Sequence, residues 1–268
     1  MIPNILSIAG SDPSGGAGVQ ADIKAISACG GYAMAAITAL TAQNTQGVSA
    51  VRMVEPEMVA AQIAAIRADI RIDAVKIGML GTAPIIRAVA DALAGLAAPI
   101  VLDPVMVAKS GDRLLEAAAV EALRAVLPRA EVVTPNLPEA ADLVRETEAA
   151  DRAAMERQAR ALLAAGPRGV LLKGGHLPGG ESPDLLAEGD RLVWLPGPRL
   201  ASSRTHGTGC TLSAALATFL GRGLPLARAA AEAKAYVAAA IAGAGALSVG
   251  RGFGPTHHFH ALFKDLSA

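Results

Sequence analysis

The sequence predicts an α/β fold whose mostly parallel central sheet is covered by helices on both faces. Short β-branched runs alternate with longer segments rich in Ala, Leu, Arg and Glu, the pattern of parallel βαβ units. The longer segments repeat apolar residues at helical spacing, and several open on a Pro suited to a first turn. At 268 residues and 52% hydrophobic, the chain can bury a sizeable core, and no linker-like stretch divides it. We therefore expect a single domain spanning residues 1–268.

Residues 4–9 form the first apolar run and end on the glycine-rich turn Gly10 to Gly18. Residues 25–51 carry no charge, but Gly30, Gly31 and the polar stretch 41–46 interrupt them. A buried helix-turn-strand is expected there rather than a membrane span. Helical periodicity follows at 56–68, 82–96, 117–127, 152–165 and 225–242, with apolar strands at 74–77, 100–102, 131–133 and 169–172. A further Ala-rich helix is expected from about Thr208 to Leu220.

Ligands of such sheets sit beyond the carboxyl ends of the strands. The residues there include Gly10, Gln43, Gly78 with Met79, Asp103 with Val105, Asn136 with Glu139, and Lys173. They are expected to converge on one rim.

The stretch His206-Gly207-Thr208-Gly209-Cys210-Thr211 opens its helix with several free backbone N–H groups at the positive end of the dipole. Such a turn binds an anion, and phosphoryl transfer is the natural chemistry. Cys210 lies in the first turn, where a lowered thiol pKa is expected. The plainer alternative is a glycine-rich turn that only starts a helix.

Asp103, Asn136 and Glu139 could hold Mg²⁺, although Asp103 before Pro104 also reads as a turn former and Glu139 as a first-turn helix acid. Lys173 ends an apolar strand where a cation reaches a nucleotide phosphate, or simply meets solvent. Gly16, Gly18 and Ala21 match a dinucleotide fingerprint, but the preceding turn is too long and no acidic residue follows at the ribose position. No phosphate-binding P-loop pattern occurs. His257, His258 and His260 lack companion ligands at metal spacing, and Phe259 and Phe263 suggest a packed terminal helix instead.

Lys plus Arg and Asp plus Glu balance at 24 each, which leaves no net field for nucleic acid or an anionic membrane. Aromatic residues make up 3%, too few for a base-stacking platform. Cys29 and Cys210 lie in unrelated contexts, and no basic n-region marks a signal peptide. A cytoplasmic location is expected.

Taken together, Gly10 to Gly18 with Asp22, then Gln43-Asn44-Thr45, Lys76 to Leu80, Asp103 to Met106, Thr134-Pro135-Asn136, Lys173 to His176, His206 to Cys210 and Gly252 to Pro255 resemble one family. They are similar to the hydroxymethylpyrimidine/phosphomethylpyrimidine kinases of thiamine biosynthesis, within the ribokinase-like superfamily. The resemblance implies a three-layer α/β/α sandwich, usually a homodimer. It implies that ATP and Mg²⁺ are used to phosphorylate 4-amino-5-hydroxymethyl-2-methylpyrimidine and then its monophosphate. Gln43, Gly10, Ala17, Met79 and Val105 would hold the pyrimidine, with Asp22 nearby. Lys173, Lys234 and Thr208 would serve the nucleotide. Gly207, Thr208, Gly209 and Cys210 would form the catalytic turn, with Cys210 as base, and Asp103, Asn136 and Glu139 would organise Mg²⁺.

Many sugar kinases of that superfamily carry Asp where this chain has Cys210, and the Gln43, Met79 and Val105 set suits a flat heteroaromatic alcohol better than a polyol. Pyridoxine/pyridoxal kinase is the rival enzyme. A catalytically idle ligand-binding protein on the same fold is the rival class.

Overall fold

In the computed structural model, which describes residues 1–106 and 117–263, central strands buried on both faces set the architecture. The strands, in chain order, are β1 (Asn4–Ala9), β2 (Tyr32–Ile37), β3 (Ala39–Asn44), β4 (Gly47–Met53), β5 (Ala74–Ile77), β6 (Ile100–Leu102), β7 (Val132–Val133), β8 (Gly169–Lys173), β9 (Asp184–Glu188) and β10 (Arg191–Leu195). The helices are α1 (Gly18–Ala28), α2 (Pro56–Asp69), α3 (Ala83–Ala92), α4 (Ala117–Val126), α5 (Leu137–Val144), α6 (Arg152–Ala164), α7 (Thr208–Gly221) and α8 (Leu226–Ala242).

Successive strand residues face opposite sides of a sheet. Ile5, Ala74, Val101, Val132, Leu171 and Leu186 accordingly pack with α1, α7 and α8. Their sequence neighbours Leu6, Val75, Leu102, Val133, Leu172 and Leu185 pack with α2 to α6. Two cores on one sheet make three layers, as the sequence predicts.

The central sheet has the order β10-β9-β8-β7-β6-β5-β1-β2. From β8 to β2 every pairing is parallel, and β9 and β10 are antiparallel to their neighbours. The antiparallel edge was not predicted, because the polar turn between Glu188 and Arg191 breaks the helix-strand rhythm. Gln43 also differs from expectation. It does not end a central strand but lies on the hairpin β3–β4, a separate two-stranded sheet with a register shift between Ala42 and Gln43.

The helix expected at 82–96 stops at Ala92, because Gly95 turns the chain with φ of 71°. Residues 258–262 form turns rather than a terminal helix, with Phe263 stacked near His257 and Phe259. Among the described residues no helix is long and apolar enough to cross a membrane.

Candidate active site

A cavity of about 1290 Å³ opens at the carboxyl ends of the parallel strands. Gly10, Ala17, Gln43, Met79 and Val105 line it, as do Lys173 and Lys234. Gly207, Thr208, Gly209 and Cys210 lie on its wall, as do Asp103, Asn136 and Glu139. Of the residues expected at the site, Asp22 alone is not on the lining.

Gly207 caps α7 with φ of 76° and no side chain, so no capping side chain claims the first-turn N–H groups. A Cβ on Gly207 would stand 1.8 Å from the Gly16 carbonyl oxygen. The turn therefore needs glycine there. At Gly209 the situation differs, because a Cβ would lie 3.4 Å from Lys173 Nζ and 3.6 Å from Asp103 Oδ2, in ordinary contact. A side chain at 209 would enter the space before the charged groups rather than force the turn open.

Those charged groups form one cluster. Lys173 Nζ donates to Asp103 Oδ1 at 3.0 Å and stands 3.8 Å from Glu139 Oε2. Thr134 and Ser213 donate to the two oxygens of Asp103. Burial opposes its charge, but Lys173 and Lys76 hold its carboxyl below the usual range. Glu139 is pushed up to about 7, by burial first and by the Asp103 charge, against the pull of Lys173.

Asn136 and Glu139 also make a reciprocal capping box at the start of α5. The Asn136 side-chain oxygen Oδ1 is thereby committed to the Glu139 N–H. The described residues contain no cluster of three or more His, Cys, Asp or Glu that could cage a metal alone. The donor set suits a hard cation such as Mg²⁺ that takes most ligands from phosphates and water. A cation beside Glu139 would also hold it ionised.

Lys173 is not the solvated strand-end lysine of the plainer reading, since its side chain is 16% exposed. Lys234 on α8 is held from behind, donating to Asp184 Oδ2 at 2.7 Å and to the Ser182 carbonyl at 2.8 Å.

Lys76, quoted in the sequence within a motif but given no role, is on the lining of the cavity. Its ammonium reaches both Asp22 oxygens at 2.9 and 2.7 Å, and Ser7 Oγ donates to the same carboxylate at 2.6 Å. Both partners are fully buried. Burial pulls the Lys76 pKa down, but Asp22, Cys210 and Asp103 together carry it above the ordinary lysine value. Asp22 is thus committed to a buried ion pair and has no exposed surface, where the resemblance set it near the pyrimidine. The one available signal was a lysine inside the otherwise apolar strand Ala74–Ile77.

Cys210 corrects another expectation. Burial, aided by Asp22 and Asp103, pushes its thiol up to about 11 despite Lys76, so it is protonated at neutral pH. Desolvation outweighs the helix dipole here.

Asp12 and His206 were quoted in the sequence motifs without a role. Asp12 accepts from the Ser14 and Ala17 backbone N–H groups and meets His206 Nε2 at 2.8 Å. Burial opposes its ionisation, but His206 and Ser14 keep its pKa below the usual value. This contact fastens the loop after β1 to the residue preceding the α7 turn. Residues 250–258 bind the same region from outside. Gly252 and Phe253 donate to Thr45 beside the hairpin, His206 N donates to Gly254 O, and Thr211 Oγ1 lies 3.1 Å from His258 Nε2.

The family model for phosphomethylpyrimidine kinase matches residues 12–257. A hydroxymethylpyrimidine/phosphomethylpyrimidine kinase of Rhizobium meliloti is 53% identical over 261 residues, covering 97% of this chain and 98% of the relative. The crystal structure of a phosphomethylpyrimidine kinase from Clostridium difficile is 40% identical, with a TM-score of 0.79 over 89% of this chain and 99% of that one. A Staphylococcus aureus pyridoxal kinase in complex with AMP-PCP and pyridoxal is 33% identical, with a TM-score of 0.90 over 98% of this chain and 95% of that one. On sequence and fold together, the chain belongs to the phosphomethylpyrimidine kinase family, phosphotransferases of ribokinase-like fold.

Proposed function

We propose that this chain transfers the γ-phosphoryl group of ATP to the hydroxymethyl oxygen of 4-amino-5-hydroxymethyl-2-methylpyrimidine, and then phosphorylates the monophosphate, in thiamine biosynthesis. One observation carries the reading. A single cavity is lined by Gln43 and Met79, by Lys173 and Lys234, and by the α7 turn.

The amide of Gln43 can both donate to a ring nitrogen and accept from an exocyclic amine. Gly10 lets the Met79 methyl approach closely, since a Cβ there would stand 3.0 Å from it. Lys173 supplies positive charge beside the α7 turn, whose N–H groups suit the oxygens of the transferring group. Mg²⁺, held by Asp103 and Glu139 with Asn136 in support, would neutralise phosphate charge. Phosphoryl transfer has a loose transition state in which the attacking hydroxyl keeps its proton until late. A thiol with a pKa of about 11 keeps its own proton at neutral pH, so Cys210 suits a hydrogen-bonding partner of the reacting oxygens rather than a pre-formed base, and the late hydroxyl proton passes to an oxygen of the transferred phosphoryl group. The same reading takes residues 1–268 as one catalytic domain, working in the cytoplasm as a homodimer.

A second reading is favoured by the likeness to the pyridoxal kinase bound to AMP-PCP and pyridoxal. One assay separates them. ATP consumption is followed with the aminopyrimidine, with pyridoxal and with neither, and products are resolved as mono- and diphosphate. The proposal expects turnover with the pyrimidine and both products. Turnover confined to pyridoxal replaces it, and turnover with neither makes the chain a binding protein.

A further inference from the structure

The loop after β8, residues 174–182, contributes Gly175, His176, Gly180 and Ser182 to the cavity wall near Lys234. It contains Gly174, Gly175, Gly179 and Gly180. A chain so rich in glycine loses much conformational entropy when ordered, so something must hold it.

One side chain does so. Arg199, which also lines the cavity, donates from Nε to Gly179 O at 2.8 Å and from Nη1 to Gly175 O at 2.8 Å. Its Nη2 donates to Leu177 O at 2.5 Å and to Glu181 O at 3.1 Å. The Arg199 backbone N–H adds a bond to Gly180 O at 2.9 Å. A single planar fork therefore gathers carbonyls from along the whole loop. A lysine ammonium, with three donors on one atom, cannot span them. The nearby Glu181 carboxylate takes Arg152 instead, at 2.8 Å, so the Arg199 contacts found here are to backbone.

We propose that Arg199 is a positioning residue for the nucleotide, holding residues 174–182 in the shape that forms the nucleotide end of the cavity. This rests on the reading that ATP occupies the end marked by Lys173 and Lys234. The acceptor end, with Gln43 and Met79, is built from other elements and is not touched by this fork.

Steady-state kinetics of the full chain test it. Arg199→Ala is expected to raise the KM for ATP about tenfold, with kcat and the pyrimidine KM within about twofold of wild type. Arg199→Lys is expected to fail to restore the ATP KM, whereas millimolar guanidinium added to Arg199→Ala lowers it again. Amide exchange in 174–182 is expected to accelerate in Arg199→Ala while the strands keep their protection. Arg199→Gln serves for all these measurements if the alanine variant does not fold. An unchanged ATP KM, an equal rise for both substrates, or full rescue by lysine overturns the inference and leaves the kinase reading standing. A wild-type chain that consumes no ATP overturns both.

Discussion

Replacing Lys76 by Met keeps the length of the side chain and removes its ammonium. Asp22 would then keep Ser7 as its hydrogen-bond partner, in a side chain with no solvent exposure. At 2.7 Å the attraction between the two charges is about 6 kcal/mol if the effective dielectric constant is about 20. Removal of one member of a buried pair typically costs about 3–5 kcal/mol, because the survivor stays desolvated. In a chain of this size that corresponds to a fall in Tm on the order of 10 °C.

The pH dependence follows from burial, the largest influence on Asp22, which raises its pKa above 3.8 and is unopposed by an ammonium in the variant. A carboxyl raised on folding contributes stability that is present below its unfolded pKa and lost as pH rises through the folded one. The deficit of Lys76→Met should therefore shrink on acidification toward about pH 4. Lys76→Met/Asp22→Asn leaves no stranded charge and should recover a large part of the loss. Urea unfolding of wild type, both single variants and the double variant gives the coupling energy directly. Strict additivity, or a Lys76→Met variant within about 1 kcal/mol of wild type, would refute the reasoning.

The remaining predictions concern the cavity. Gly207→Ala should lower Tm through the clash with Gly16 and the strained φ, whereas Gly209→Val should fold and lose about 10²–10³ in kcat; the reverse ranking in melting and kinetics contradicts the geometry. Gln43→Leu should raise the pyrimidine KM about ten- to a hundredfold and spare that for ATP, and a matched rise in both would move Gln43 away from the ring. Cys210→Ala should lower kcat by up to about 10²-fold, more than it raises the pyrimidine KM, and a kcat equal to wild type removes the thiol from the mechanism. Glu139, pushed up to about 7, contributes stability present below 4.5 and lost as pH rises through 7. Without divalent cations, Glu139→Gln should thus melt above wild type at alkaline pH; a lower Tm there would show that the carboxylate is not strained.

The central sheet and most helices were legible because their signals are local. Apolar runs such as Val101 to Leu102 and the spacing within α3 specify both the element and its buried face. The rim residues were legible for a related reason, since strand ends in a parallel sheet must share one edge. What escaped reading depends on partners distant in sequence. Lys76 meets Asp22 across 54 residues, and the local trace of the pair is no more than a lysine inside an apolar strand. The hairpin escaped because almost all of its residues are partly or largely exposed instead of building a core. The thiol of Cys210 was misjudged because its helix position is visible in sequence while its desolvation is not. Arg199 looks like any surface arginine until the loop beneath it is seen.

The ties made by residues 250–258 bear on the order in which the molecule acquires its properties. Gly252 reaches back 207 residues to Thr45, and His206 reaches 194 residues to Asp12. Closure entropy grows only slowly with such separations, so these contacts add to stability without an extreme penalty, but non-local pairing is slow to form. On the ribosome the β1 loop, the hairpin and every central strand emerge well before the segment that fastens them to the α7 turn. The helices and most of the sheet can be in place while that fastening is still missing. The α7 turn is thus fastened to the β1 loop and the hairpin only after the sheet that carries them has been made.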